Sequence, residues 1–177
     1  MDYQSFKQAV IAEAAAMGLN DYELYYQCGE DTSVGAYQHE INEFSSSISG
    51  GICFRCIVNG KMGYASTEAL NEAEAKAIVR RAADNAAILE AKEEVFLCEG
   101  GLEYAPLNRE CYDLPATEAL IRTVLDTQEK LYTSSPAVID GCQTQGIAKR
   151  SSIAIYNSRG LDLTYENTLT GLVVASV

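Results

Sequence analysis

Residues 50–67 read GGICFRCIVNGKMGYAST, and the fold of the chain turns on that stretch. The apolar run ICFRCIV is rich in β-branched and aromatic residues and reads as a strand. Asn59-Gly60 follows at once, the dipeptide that type I′ hairpins favour because both central residues take positive φ. KMGYA is therefore its antiparallel partner. Strand alternation puts Cys53 and Cys56 on opposite faces. Arg55 stands inside the apolar run, where a charge must reach solvent or be paired. It is the one candidate site residue, for substrate or interface: a structural or interface arginine in one reading and a substrate anchor in the other.

On the amino-terminal side, Phe6, Val10, Ala14 and Met17 recur at helical spacing, with Gly18 where a helix stops. From Asp21 the period becomes two: Tyr22, Leu24, Tyr26 and Cys28 share one face, and Asp21, Glu23, Tyr25 and Gln27 the solvent face. A second strand is expected over 32–41 and a third over 51–58. On the other side, Asn71 and Glu74 have capping-box spacing ahead of Ile78, Val79, Ala82, Ala86 and Leu89, which predicts a helix over 72–90. Residues 91–116 lack a period and carry Gly100-Gly101, Pro106 and Pro115, the marks of a connection. Thr117 is expected to cap a helix packed through Leu120, Ile121, Val124, Leu125 and Leu131. Strands are expected over 138–145, 147–157, 161–168 and 171–177, with NSRG as the turn between the second and third. The class is α+β, helices on an antiparallel or mixed sheet, in two helix-plus-meander halves of one domain, 1–177. The segment TGLVVASV is apolar and β-prone up to Val177, so we expect more chain, and catalysis, beyond it.

Thirteen Lys and Arg against 25 Asp and Glu give a net charge of −12. Such a surface repels phosphate backbones, so no direct nucleic-acid binding is expected. No apolar run approaches bilayer length and no signal or transit segment is evident, which points to a cytoplasmic protein without membrane contact. Six cysteines in a chain of this length read as free thiols, and Cys53-x-x-Cys56 lacks the second pair or histidine of a zinc ribbon.

The only histidine, His39, opens HEINE, a near-match to a zinc-protease motif. That motif needs its ligands at i and i+4 on one helical face, whereas a strand would hold His39 and Glu43 about 13 Å apart. A solvated strand is the simpler reading. Phosphate-loop and dinucleotide motifs are absent, and Glu72, Glu74, Glu93 and Glu94 read as surface charges. Eleven Tyr without Trp suit peptide binding along a sheet edge as well as core packing.

GGICFRCIVNGKMGYAST followed by RRAADNAAILE resembles the amino-terminal domain of the TldD/PmbA family, described as modulators of DNA gyrase and as zinc metallopeptidases. Gly51, Arg55, Gly60, Lys61, Gly63, Ala65, Ser66 and Thr67 carry the match. Further on, IAIYNSRGLDLTYENT resembles the family's second recurring stretch through Asn157, Ser158 and Gly160. The resemblance implies an α+β domain ahead of a larger carboxy-terminal β-rich domain, with Gly60, Gly63 and Gly160 as turn formers. It implies zinc on an H-E-x-x-x-H helix in that carboxy-terminal part for TldD-like members, whereas PmbA-like partner subunits can lack a working metal site; it also implies proteolysis and peptide maturation acting on unfolded peptide, and a homo- or heterodimer with a family member. That motif is not present, so no catalytic or metal residue and no cofactor is assigned to this segment. The expectation is a scaffold for peptide access and assembly, inactive alone. The alternative is a non-enzymatic interaction module regulating a partner such as DNA gyrase.

Overall fold

The computed structural model describes residues 1–90, 93–104, 110–139 and 142–176. In chain order the elements are α1 (Tyr3–Ala16), β1 (Tyr22–Tyr37), β2 (Glu40–Val58), β3 (Lys61–Thr67), α2 (Glu72–Ile88), α3 (Thr117–Ser134), β4 (Gln143–Asn157) and β5 (Asp162–Ala175). The strands form one five-stranded antiparallel sheet in the order β3-β2-β1-β4-β5. The α+β class holds. β2 and β3 pair with Val58 opposite Lys61 and Ile52 opposite Thr67. Asn59 and Gly60 between them take φ of 51° and 75°, as the type I′ turn requires.

The chain packs as two compact units that interleave along the sequence. Unit 1 is Met1–Cys28, Gly50–Leu107 and Ser152–Tyr165, and unit 2 is Gly29–Ser49, Asn108–Ser151 and Glu166–Val177. In unit 1, Phe6, Val10 and Ala14 of α1 and Ala75, Ile78, Val79 and Ala82 of α2 cover Leu24, Ile52, Phe54 and Cys56. Asp2 caps α1 by accepting from the Ser5 N–H at 2.7 Å, and Asn71 caps α2 through the Glu74 N–H at 2.9 Å. In unit 2, Leu120 and Val124 of α3 cover Val34, Ala36 and Ala148.

Several expectations are corrected. The strand over 32–41 crosses a turn: β1 ends at Tyr37, and Gln38 and His39, with φ of 49° and 66°, reverse the chain into β2. No Gly or Asn signals that reversal. Thr117 is not the cap but the first helical residue; Ala116 precedes it without a side-chain cap. Leu131 lies off the buried stripe, whose third i+4 position after Leu120 and Val124 is Gln128. The strands over 138–145 and 147–157 are one, β4, and those over 161–168 and 171–177 are β5, because Gly171 stays extended within the strand. Pro106 and Val177 lie outside the described residues, as do 140–141.

Gly63 is not a turn former. It sits within β3, where a Cβ would stand 2.1 Å from the Ala82 carbonyl oxygen and 2.3 Å from the Ala86 nitrogen. It is glycine because α2 crosses β3 backbone to backbone. Gly60 and Gly160, with φ of 75° and 91°, do form turns.

Candidate functional site

Arg55 leaves β2 on the face opposite Phe54 and Cys56. Its Nε donates to Glu23 Oε1 at 2.8 Å, and its Nη2 lies 2.5 Å from the same oxygen. The Glu23 side chain is 5% exposed and that of Arg55 40%, so the pair has a dry acid and a wet base. Glu23 was expected on the solvent face; it is buried because both its oxygens are used. Oε2 accepts from Asn157 Nδ2 at 3.2 Å, and the same amide donates to the Cys98 carbonyl at 2.9 Å. Asn157 Oδ1 then accepts the N–H groups of Arg159 and Leu161, both at 3.0 Å. The candidate arginine thus heads a polar relay that pins the 157–161 turn and the segment at Cys98. Its charge is neutralised by Glu23 within unit 1.

A second buried charge had no sequence signal. Lys7 on α1 reaches Asp162 at 3.0 Å beside the rings of Tyr3 and Tyr156. The six cysteines are free. Cys56 lies in the core and burial pushes its thiol up to about 11; Cys53, on the Arg55 face, is also raised by burial, with Arg55 opposing. Both remain protonated thiols near neutral pH, unsuited to redox exchange or metal ligation.

His39 belongs to the turn between β1 and β2 in unit 2. Its N–H donates to Gln128 Oε1 at 2.8 Å, its ring stacks on Tyr132 at 4.3 Å, and its Nδ1 lies 3.0 Å from Glu129. Gln128, fully buried, also donates to the carbonyls of Ala36 at 2.7 Å and Cys142 at 3.1 Å. One glutamine therefore holds two non-glycine residues in left-handed geometry. Among the described residues no group of three or more His, Cys, Asp or Glu gathers as metal ligands. His39 is engaged by Gln128, Glu129 and Tyr132 of α3, so among the described residues it joins no cluster that would fit a zinc centre.

Unit 2 leaves its outer strands open. Every residue of β2 from 40 to 50 is exposed, Phe44 and Ile48 included. β5 exposes Leu169, Leu172, Val173 and Val174. Next to them Pro115, Leu120 and Thr123 face Thr170, Gly171 and Leu172 across a notch of about 360 Å³. β1 and β4 between these strands carry polar ties, Asp31 to Lys149 and Gln145 to Ser33.

Residues 22–86, which span the β1–β3 meander and most of α2, match the family described as PmbA/TldA metallopeptidase domain 1. Over that stretch, 65 of the 177 residues, the chain is similar to the first domain of the PmbA/TldD family. No protein of curated function matches the sequence. Among solved structures, a proposed modulator of a DNA gyrase from Thermotoga maritima superposes with a TM-score of 0.76 at 14% identity, covering 99% of this chain and 43% of that one. A proposed modulator of DNA gyrase from Bacteroides thetaiotaomicron gives 0.74 at 18%, covering 96% and 39%. TldE from Thermococcus kodakarensis gives 0.75 at 17%, covering 96% and 38%. At these identities the likeness is one of fold, and the chain spans about two-fifths of the length of each of these three proteins. Among the described residues no helix is long and apolar enough to cross a membrane.

Proposed function

We propose that this chain is the amino-terminal scaffold of a TldD/PmbA-like, metal-dependent peptidase system in the cytoplasm, serving peptide access and subunit assembly. The observation that carries the reading is the open surface of unit 2, where β2 over 40–50 and the outer half of β5 expose Phe44, Ile48, Leu169, Leu172 and Val173. Apolar strands left exposed mark an interaction site. Arg55 acts in this reading by fixing the 157–161 turn. Unfolded peptide is the substrate class, a family member the dimer partner, and zinc the metal, held by residues outside this segment.

Metal content tests the division of labour. About one zinc per chain is expected in a complete family protein carrying this domain, with none in residues 1–177. Stoichiometric zinc with proteolysis in residues 1–177 would overturn it. A second reading, a non-enzymatic module that regulates a partner, is favoured by the gyrase-modulator description of two relatives and by the acidic, Tyr-rich composition. Metal-free complete protein that still binds a partner would select it.

A further inference from the structure

We infer that residues 97–101 form a strap that gates access to the Glu23–Asn157 relay, opening and closing over the 157–161 turn while the rest of unit 1 stays folded; the inference goes beyond the peptide-handling reading and does not depend on it. The closed strap is tied at two points. Asn157 Nδ2 donates to the Cys98 carbonyl at 2.9 Å, and the Gly100 N–H donates to the Arg159 carbonyl at 3.0 Å. Beside these bonds the two segments meet backbone to backbone: a Cβ on Gly100 would stand 2.1 Å from both the carbonyl carbon and the oxygen of Gly160, and 2.4 Å from the Leu161 nitrogen. Glycine at 100 is what lets the strap lie flat on the turn. Beneath it Asn157 is 1% exposed, and the Glu23 side chain that it bonds is 5% exposed.

Little else holds the strap down. It has neither helix nor strand, and over the described residues 93–104 Leu97 alone is buried. Phe96 and Leu102, on either side of it in sequence, are exposed and supply no anchor. The Cys98 thiol turns to the carbonyl of its own neighbour, Glu99. A segment with one buried apolar side chain opens far more readily than a core, which in unit 1 lies beneath α1 and α2. Asn157 does not leave with the strap: its Oδ1 accepts the N–H groups of Arg159 and Leu161, and its Nδ2 keeps Glu23. Opening therefore frees one proton of that amide and lets water reach the dry acid behind it.

Hydrogen exchange of the chain in increasing urea tests this by NMR, followed at the Gly100 N–H, the Asn157 side-chain amide and the N–H groups of 52–58. Gly100 and the Asn157 amide are expected to exchange in step, at rates almost independent of low urea because opening exposes little surface. Residues 52–58 are expected to exchange more slowly and to accelerate with urea. Gly100→Ala is expected to speed exchange at residue 100 and at the Asn157 amide at least about tenfold, and to leave 52–58 within about threefold of the parent. Leu97→Ala, which removes the anchor without a clash, serves should the first variant not fold, and Phe96→Ser is expected to change neither rate. Exchange at Gly100 with the urea dependence of 52–58, or failure of both variants to fold, would make the strap part of the core and overturn the inference. An unprotected Gly100 would overturn it too, since the strap would not close. So would an Asn157 amide that stays protected while Gly100 exchanges, since the strap would then gate nothing.

Discussion

Unit 1 buries Phe6, Leu24, Ile52, Phe54, Ile78 and Val79 beneath two helices, whereas unit 2 buries Val34, Ala36, Leu120, Val124 and Ala148 beneath one. Helical cover sets how much of a strand can be apolar and still dry. With two helices, unit 1 also accommodates buried Glu23 and Lys7, each with a partner. With one, unit 2 leaves the apolar residues of its outer strands in contact with solvent, and its interior polar group, Gln128, holds a turn. The larger buried apolar cluster thus lies in the first unit and the exposed apolar strand surface in the second.

The largest test of that contrast compares two glycines. Gly63→Ala in unit 1 drives a Cβ into fixed backbone, 2.1 Å from the Ala82 oxygen, and is expected to cost at least about 4 kcal/mol in urea unfolding. Gly146→Ala in unit 2 meets side-chain atoms of Val124 at 2.6 Å and Leu120 at 3.0 Å, which can shift, so about 1–2 kcal/mol is expected. Equal costs would break the contrast.

Arg55→Met leaves Glu23 buried without its cation and is expected to cost about 3 kcal/mol, with Glu23→Gln in that background restoring part of the loss. No recovery in the double variant would mean that the ion pair is incidental. Gln128→Leu strands the His39 N–H and two carbonyls and is expected to cost about 2 kcal/mol. Replacing Gln38-His39 by Asn-Gly should return about 1 kcal/mol, because those residues take the turn geometry without strain.

Alkali should distinguish the units next. Burial raises Cys56 to about 11 and Tyr3 and Tyr22 to about 12, all in unit 1. Raised values mean that the folded state holds these protons more tightly. The stability they contribute is full below about pH 9, the ordinary thiol value, and is lost as pH climbs through 11 and 12. Amide protection in unit 1 is expected to fall first over that range. The smallest effect belongs to Ile48→Thr, within about 0.5 kcal/mol, since that side chain is already solvated.

Legibility in the sequence follows the same division. The Asn59-Gly60 hairpin was plain because its residues favour that turn by themselves, and Asn71 announced α2 by its own side chain. The Gln38-His39 reversal was hidden because its geometry is imposed by Gln128, 89 residues from His39. Glu23 read as a solvent-facing acid in an alternating strand; only its partners Arg55 and Asn157, brought close by the sheet, allow its burial. Gln128 had one available signal, its i+4 spacing from Val124. Arg55 stood out as a charge in an apolar run, and the identity of its partner, Glu23, awaited the fold. The notch at β5 was invisible because it brings Pro115, in the connection without a period, up against Thr170, with α3 and β4 between them in the sequence.

Residue-resolved hydrogen exchange, on residues 1–177 and again on the complete family assembly, tests the central claim that unit 2 is open for contact. Amides of 40–49 and 166–175 are expected to exchange far faster than those of 22–28 and 52–58 in the chain alone, and to slow when the assembly forms. Uniform protection in the chain alone, or open strands left unchanged by assembly, would contradict it.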